Sequence, residues 1–240
     1  MAFQGERFSR KLCSVLTNKR VLAPNPSSPA ALFSTLMVFI CLAVAPPVRA
    51  ADAPITLVAL GDSLTAGYGL GPDEGFVPQL QAALQARGHE VKIGNGGVSG
   101  DTSSGGLARL DWAVGPETQG VILELGANDM LRGIAPAVTR ANLTAIIKHL
   151  HKRGIKVMLA GMLAAPNLGE AYAARFDQIY PQIAEQFGLV FYPFFLDGVA
   201  GQRELNLPDG IHPTGDGIGV IVENILPSIE RLLAQIETQE

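Results

Sequence analysis

From residue 55 onward, short apolar runs alternate with stretches in which apolar residues recur at helical spacing. Five runs have strand length: 55–60 (Ile-Thr-Leu-Val-Ala-Leu), 91–94, 120–125, 155–161 and 189–192. Helices are predicted near 76–87, 103–113, 136–152, 170–187 and 214–236. Within 136–152, Val138, Leu143, Ile146, Ile147 and Leu150 repeat at about three and four residues, which makes one apolar face. Near-continuous apolar strands separated by helices read as a parallel sheet covered on both faces. With right-handed crossovers this predicts an α/β fold, a three-layer α/β/α sandwich around a doubly wound, five-stranded parallel sheet.

In such a sheet the ligand site lies beyond the carboxyl ends of the strands. Polar clusters are therefore expected after the strands, and three occur: Gly61-Asp62-Ser63, Asn95 to Asp101, and Gly126-Ala127-Asn128-Asp129. All three loops should open onto one edge. Glu124 is out of place, a carboxylate inside an apolar strand. A buried charge needs a partner, and Arg109 is the candidate.

The first fifty residues read differently. A basic start (Arg7, Arg10, Lys11, Lys19, Arg20) precedes an apolar run over residues 30–45, followed by Pro46-Pro47 and Val48-Arg49-Ala50. This is the pattern of a signal peptide, with cleavage expected after Ala50 and a periplasmic or secreted location expected for the product. A retained anchor is the alternative, but the run falls short of the about 20 residues a span needs. Six of the 18 Lys and Arg and one of the 22 Asp and Glu lie in residues 1–50, so residues 51–240 carry 12 basic and 21 acidic side chains, a net charge of −9. That balance argues against nucleic acid or an anionic membrane as a partner, and no stable membrane insertion of the mature form is expected. Both cysteines, Cys13 and Cys41, fall in the leader, so a mature chain has no disulfide or thiol chemistry. Residues 51–240 have the length of a single domain.

Three sets of residues could carry chemistry. Ser63 follows the first strand directly; it reads as a nucleophile or, equally, as the N-cap of a turn over Leu64-Thr65-Ala66. His212 stands in a loop before the last helix, three residues after Asp209. In a glycine-containing turn Asp209 can reach the imidazole Nδ1–H and fix its tautomer, although a loop histidine beside an aspartate is also an ordinary polar turn. A tetrahedral intermediate needs N–H donors aimed at the developing charge. The Ser63 and Gly100 backbone N–H groups and the Asn128 amide could supply them, and turn chemistry explains Gly100 and Asn128 as well. There is no Gly-x-Ser-x-Gly elbow, no His-Glu-x-x-His and no Cys/His cluster, so no metal or other cofactor is implied.

The blocks Gly61-Asp62-Ser63-Leu64, Ser99-Gly100-Asp101, Gly126-Ala127-Asn128-Asp129 and Asp209-Gly210-Ile211-His212-Pro213 resemble, in order, the four blocks of the SGNH (GDSL) hydrolase superfamily. Flanking stretches such as Thr65-Ala66-Gly67-Tyr68, Gly106 to Leu110 and Leu131-Arg132-Gly133 are similar to its bacterial arylesterase, acyl-CoA thioesterase I and lysophospholipase group. The resemblance implies a flavodoxin-like fold and hydrolysis of a small-molecule acyl ester or thioester through an acyl-enzyme. It implies Ser63 as nucleophile, His212 as general base and acid, Asp209 as its partner, and Ser63, Gly100 and Asn128 as the oxyanion hole. Asp62 and Asp129 are expected to hold loops through backbone hydrogen bonds. Leu163, Pro166, Asn167 and Leu168 match a loop that borders the acyl pocket in that family. Two other functions are compatible with the pattern: a carbohydrate acetylesterase, and a non-catalytic binding module of the same fold.

Overall fold

A computed structural model describes residues 53–238; the signal peptide expected over residues 1–50, with its cut after Ala50, lies outside the described residues. The five expected strands are present as β1 (Ile55–Gly61), β2 (Val91–Gly97), β3 (Gly120–Glu124), β4 (Lys156–Ala160) and β5 (Val190–Tyr192). They form one all-parallel sheet in the order β2-β1-β3-β4-β5. Every residue of β3 is buried, as its unbroken apolar run requires. The edge strand β2 instead alternates buried and exposed positions along Val91-Lys92-Ile93-Gly94.

Nine helices are described: α1 (Ser63–Ala66), α2 (Phe76–Ala86), α3 (Ser103–Ala108), α4 (Leu110–Ala113), α5 (Ala127–Leu131), α6 (Pro136–Lys152), α7 (Glu170–Phe176), α8 (Ile179–Phe187) and α9 (Gly215–Glu237). One helical layer has α2 against α9, with α9 also on β3, β4 and β5; the other has α6 packed on β4, α3 and α8. Leu143, Ile146, Ile147 and Leu150 supply the buried stripe of α6, but Val138 on the expected face is exposed. Core side chains such as Leu57, Leu60, Ile122 and Leu123 are fully buried, each worth about 1.5–3 kcal/mol on leaving water.

Two expected helices are each broken in two. The 103–113 segment breaks at Arg109, whose side chain turns inward to Asp101 and to the Gly61 carbonyl. The 170–187 segment breaks at Asp177-Gln178, where the Asp177 carboxylate accepts the Ala164 N–H at 2.8 Å. Phe176, Ile179, Tyr180 and Ile183 on either side of that break are all buried, so the apolar period runs through it unmarked.

The chain leaves β1 to build β2 on one side and returns to place β3 on the other. The carboxyl ends of β1 and β3 therefore flank the point where connections diverge, which is where open α/β sheets form a crevice. Among the described residues, no helix is long and apolar enough to cross a membrane.

Candidate active site

The position of Ser63, the expected nucleophile, is built by a tight turn. β1 ends at Gly61, and α1 begins at once with Ser63 as its first residue. Asp62, not Ser63, is the N-cap: its Oδ1 accepts the Leu64 N–H at 3.0 Å. That leaves the Ser63 hydroxyl facing the crevice. There it lies 2.9 Å from His212 Nε2.

His212 reaches this point from the far end of the chain through a pinned loop. The Leu207 N–H donates to the His212 carbonyl at 2.7 Å, and Asn206 bridges antiparallel to Pro213. Buried Asn206 anchors the loop base, donating from Nδ2 to the Val199 and Gln202 carbonyls at 2.7 Å each. Asp209 Oδ2 lies 2.7 Å from His212 Nδ1, and its Oδ1 accepts the Ile211 and His212 N–H groups at 2.9 and 3.0 Å. The Ile211 and His212 N–H groups, then the imidazole, hold the Asp209 carboxyl down to about 2. Asp209 is thus an acceptor at any working pH, so Nδ1 carries the proton and Nε2 is free to accept from Ser63.

The expected oxyanion donors surround the same cleft. Gly100 has φ 84°, a left-handed conformation that glycine adopts without strain. Neither the Ser63 N–H nor the Gly100 N–H has a partner among the described residues. Asn128, in the first turn of α5, donates from Nδ2 to Asp62 Oδ2 at 3.0 Å. One amide hydrogen is thereby tied down and the other is left for the cleft. Ser63, Gly100, Asn128 and His212 all line a cleft of about 580 Å³.

The two motif aspartates do more than hold backbone. Asp62 caps α1 and also orients the Asn128 side chain; burial raises its carboxyl to about 6, against the pull of Leu64, Asn128 and His212. Asp129 accepts from the Ser103 N–H at 2.7 Å and from the Ser103 and Thr139 hydroxyls, tying α5 to α3 and α6. The expected pairing of Glu124 with Arg109 does not form. Glu124 Oε2 accepts from the Thr65 hydroxyl at 2.9 Å and from the Asp62 N–H at 3.4 Å. Arg109 is taken up by Asp101, and its Nη2 donates to the Gly61 carbonyl at 2.9 Å.

The rest of the cleft is apolar: Met130, Leu131, Met162, Ala164, Phe194 and Leu196 contribute walls. Leu163 and Pro166 line it as well. Asn167 and Leu168 do not. They sit in a 3-10 turn (Pro166–Leu168) that leaves Asn167 exposed and packs Leu168 on the core. Sequence reasoning missed Tyr68, whose ring centroid lies 4.5 Å from that of His212. Its N–H donates to the Ser63 carbonyl at 3.1 Å, so the end of α1 delivers it there. Phe194 and Leu196 were missed too; lying beyond β5, they have the same edge position as the three polar loops, the signal that could have found them. Trp112, in α4, is 83% exposed and lines no part of the cleft.

A hydroxyl, an oriented imidazole and convergent N–H donors beside an apolar cleft suit acyl transfer to water. Residues 59–218 match the sequence pattern of the GDSL-like Lipase/Acylhydrolase family. The chain is 40% identical over 179 residues to Esterase TesA of Pseudomonas aeruginosa, covering 74% of this chain and 89% of that protein. It is 33% identical over 186 residues to the thioesterase 1/protease 1/lysophospholipase L1 of Escherichia coli (strain K12), covering 77% and 88%. A crystal structure of TesA superposes with a TM-score of 0.71 at 39% identity, covering 74% of this chain and 99% of that one.

Proposed function

Because this chain belongs to the GDSL-like lipase/acylhydrolase family, we propose that it hydrolyses carboxylic esters or thioesters through an acyl-enzyme on Ser63. The observation that carries this reading is the continuous chain Asp209–His212–Ser63, with contacts of 2.7 and 2.9 Å, opening onto an apolar cleft. His212 Nε2 takes the Ser63 proton as Oγ attacks the acyl carbonyl. The Ser63 and Gly100 N–H groups and the Asn128 amide receive the oxyanion. As the tetrahedral species collapses, His212 returns the proton to the departing alcohol or thiol. Water then enters with His212 again as base, and the acid is released.

The apolar walls favour an acyl chain over a sugar as the group held in the cleft, which places a carbohydrate acetylesterase second. Within the 163–168 segment, Leu163, Ala164, Ala165 and Pro166 line the cleft and would meet that acyl chain. The basic start and apolar run of residues 1–50 support export, and hence action in the periplasm or outside the cell. The decisive experiment is Ser63→Ala assayed with p-nitrophenyl butyrate. Loss of nearly all turnover with an unchanged circular dichroism spectrum is expected. Wild-type turnover in that variant would overturn the proposal.

A further inference from the structure

Beneath Ser63 lies a buried carboxyl that the hydrolytic steps do not use. Glu124 ends β3 and is 1% exposed. Its Oε2 receives the Thr65 hydroxyl at 2.9 Å and the Asp62 N–H at 3.4 Å. It occupies space that only a glycine at position 61 leaves open. A Cβ there would stand 2.6 Å from Glu124 Oε2 and 2.0 Å from Thr65 Oγ1. The same peptide unit is gripped from its other side, since the Gly61 carbonyl accepts from Arg109 Nη2 at 2.9 Å and from the Val98 N–H at 3.1 Å. The Gly61–Asp62 peptide, immediately before the nucleophile, is thus clamped at both its C=O and its N–H.

The charge state of Glu124 follows from what surrounds it. Among the described residues no cation pairs with it, and no donor reaches its Oε1. Its carboxyl neighbour is Asp62. Two adjacent carboxylates in a dry core would repel with no compensating partner, much as an ion left without its partner does. Burial, then the Asp62 charge, hold the Glu124 carboxyl well above the usual carboxylate range. A proton on Glu124 removes the conflict and turns repulsion into a hydrogen bond. Asp62 is then free to cap α1 and to hold Asn128.

We propose that Glu124 is a positioning residue for the esterase chemistry, a neutral carboxyl that acts through Asp62 to fix the turn carrying Ser63 and to aim Asn128 at the oxyanion. The proposal rests on the Ser63 acyl-enzyme reading, which Ser63→Ala tests separately. It goes beyond a core-packing role because it specifies a neutral group of a given length.

Three variants test it with p-nitrophenyl butyrate, each with kcat, KM and Tm measured. Glu124→Gln has the same shape and is neutral, and keeps kcat within about threefold of wild type. Glu124→Ala and the shorter Glu124→Asp lower kcat about tenfold or more at nearly constant KM, because a misplacement of about 1 Å at catalytic groups costs up to about 10²-fold while the cleft walls are untouched. If Glu124→Gln falls as far as Glu124→Asp, the neutral-carboxyl assignment is overturned. If Glu124→Ala or Glu124→Asp lowers only Tm, Glu124 is a structural residue and nothing more. Should Glu124→Ala fail to fold, the contrast between Gln and Asp decides alone. A failed Ser63→Ala test, with turnover retained, would be distinct from any of these outcomes.

Discussion

Replacing Asn128 by alanine tests one proposed oxyanion donor. The Asn128 amide is tied to Asp62 Oδ2 at 3.0 Å, so its second hydrogen enters the cleft with little freedom left to lose. A preorganised donor of this kind contributes about 2.7–4 kcal/mol, or about 10²–10³ in kcat. KM should stay nearly constant, because Met130, Leu131, Met162 and Phe194 still form the cleft walls. A second effect accompanies the first. The Asn128 amide is among the groups that lower the Asp62 carboxyl, so its removal raises that carboxyl further above about 6. The variant should therefore also lose about 1 kcal/mol of stability above neutral pH, the usual worth of one hydrogen bond. Steady-state kinetics on p-nitrophenyl butyrate at pH 8, with Ser63→Ala as the floor and urea unfolding alongside, read both effects. A kcat within threefold of wild type, or a loss carried by KM alone, would refute the assignment of Asn128 to the oxyanion.

Four further outcomes follow from named contacts. Asp209→Asn should lower kcat by about 10²-fold or more, by presenting a donor to His212 Nδ1, and the loss should be absent from substrate binding. Because the Asp209 carboxyl is depressed to about 2, its support is present above the ordinary 3.8 and lost only as pH falls through about 2; loss of wild-type activity between pH 5 and 7 must then have another source, and a pH–rate profile of wild type with a limb at pH 2–3 alone would contradict the His212 base. The Asp62 carboxyl is raised from 3.8 to about 6, so its contribution to stability is full below 3.8 and falls as pH rises through about 6; unfolding free energies should shift in favour of Asp62→Asn over wild type by about 2 kcal/mol between pH 4.5 and 8, and a pH-independent difference would count against the buried charge. Gly61→Ala drives a methyl into Thr65 Oγ1 and Glu124 Oε2 and should cost about 1–3 kcal/mol by thermal unfolding, together with most of the activity.

Much of this architecture was legible in the chain because its strands are buried on both faces. Continuous apolar runs give the sheet, and each polar loop after a strand then falls at the carboxyl edge by geometry alone. Ser63, Gly100 and Asn128 were placed at that edge in this way, and they line one cleft. What escaped was information held in side-chain geometry rather than in periodicity. Arg109 and Asp177 break helices by bonding away from them, while the apolar period continues across each break. Asn167 and Leu168 miss the cleft because a 3-10 turn rotates them off it, which no composition reveals. Glu124 stood out as an anomaly, but its partners are a hydroxyl and a backbone N–H brought in from α1 and its N-cap. Opposite charge was the wrong guide to them.

Three carboxyl groups around Ser63 show how environment alone divides labour among similar side chains. Asp209 is exposed and receives two backbone N–H groups and an imidazole, so it stays ionised and holds His212. Asp62 is buried but receives a backbone N–H and an amide, so its carboxyl is raised only to about 6. Glu124 is buried with a hydroxyl, one long backbone contact and another carboxyl, so it lies highest. The gradient runs from solvent to core and has a chemical consequence. Negative charge is greatest beside the imidazole, where the proposed mechanism would form a cation, and least deep under the turn that carries Ser63. A second full charge at Glu124 would oppose the oxyanion of the proposed mechanism. In that mechanism, withholding it would matter as much as supplying the charge on Asp209.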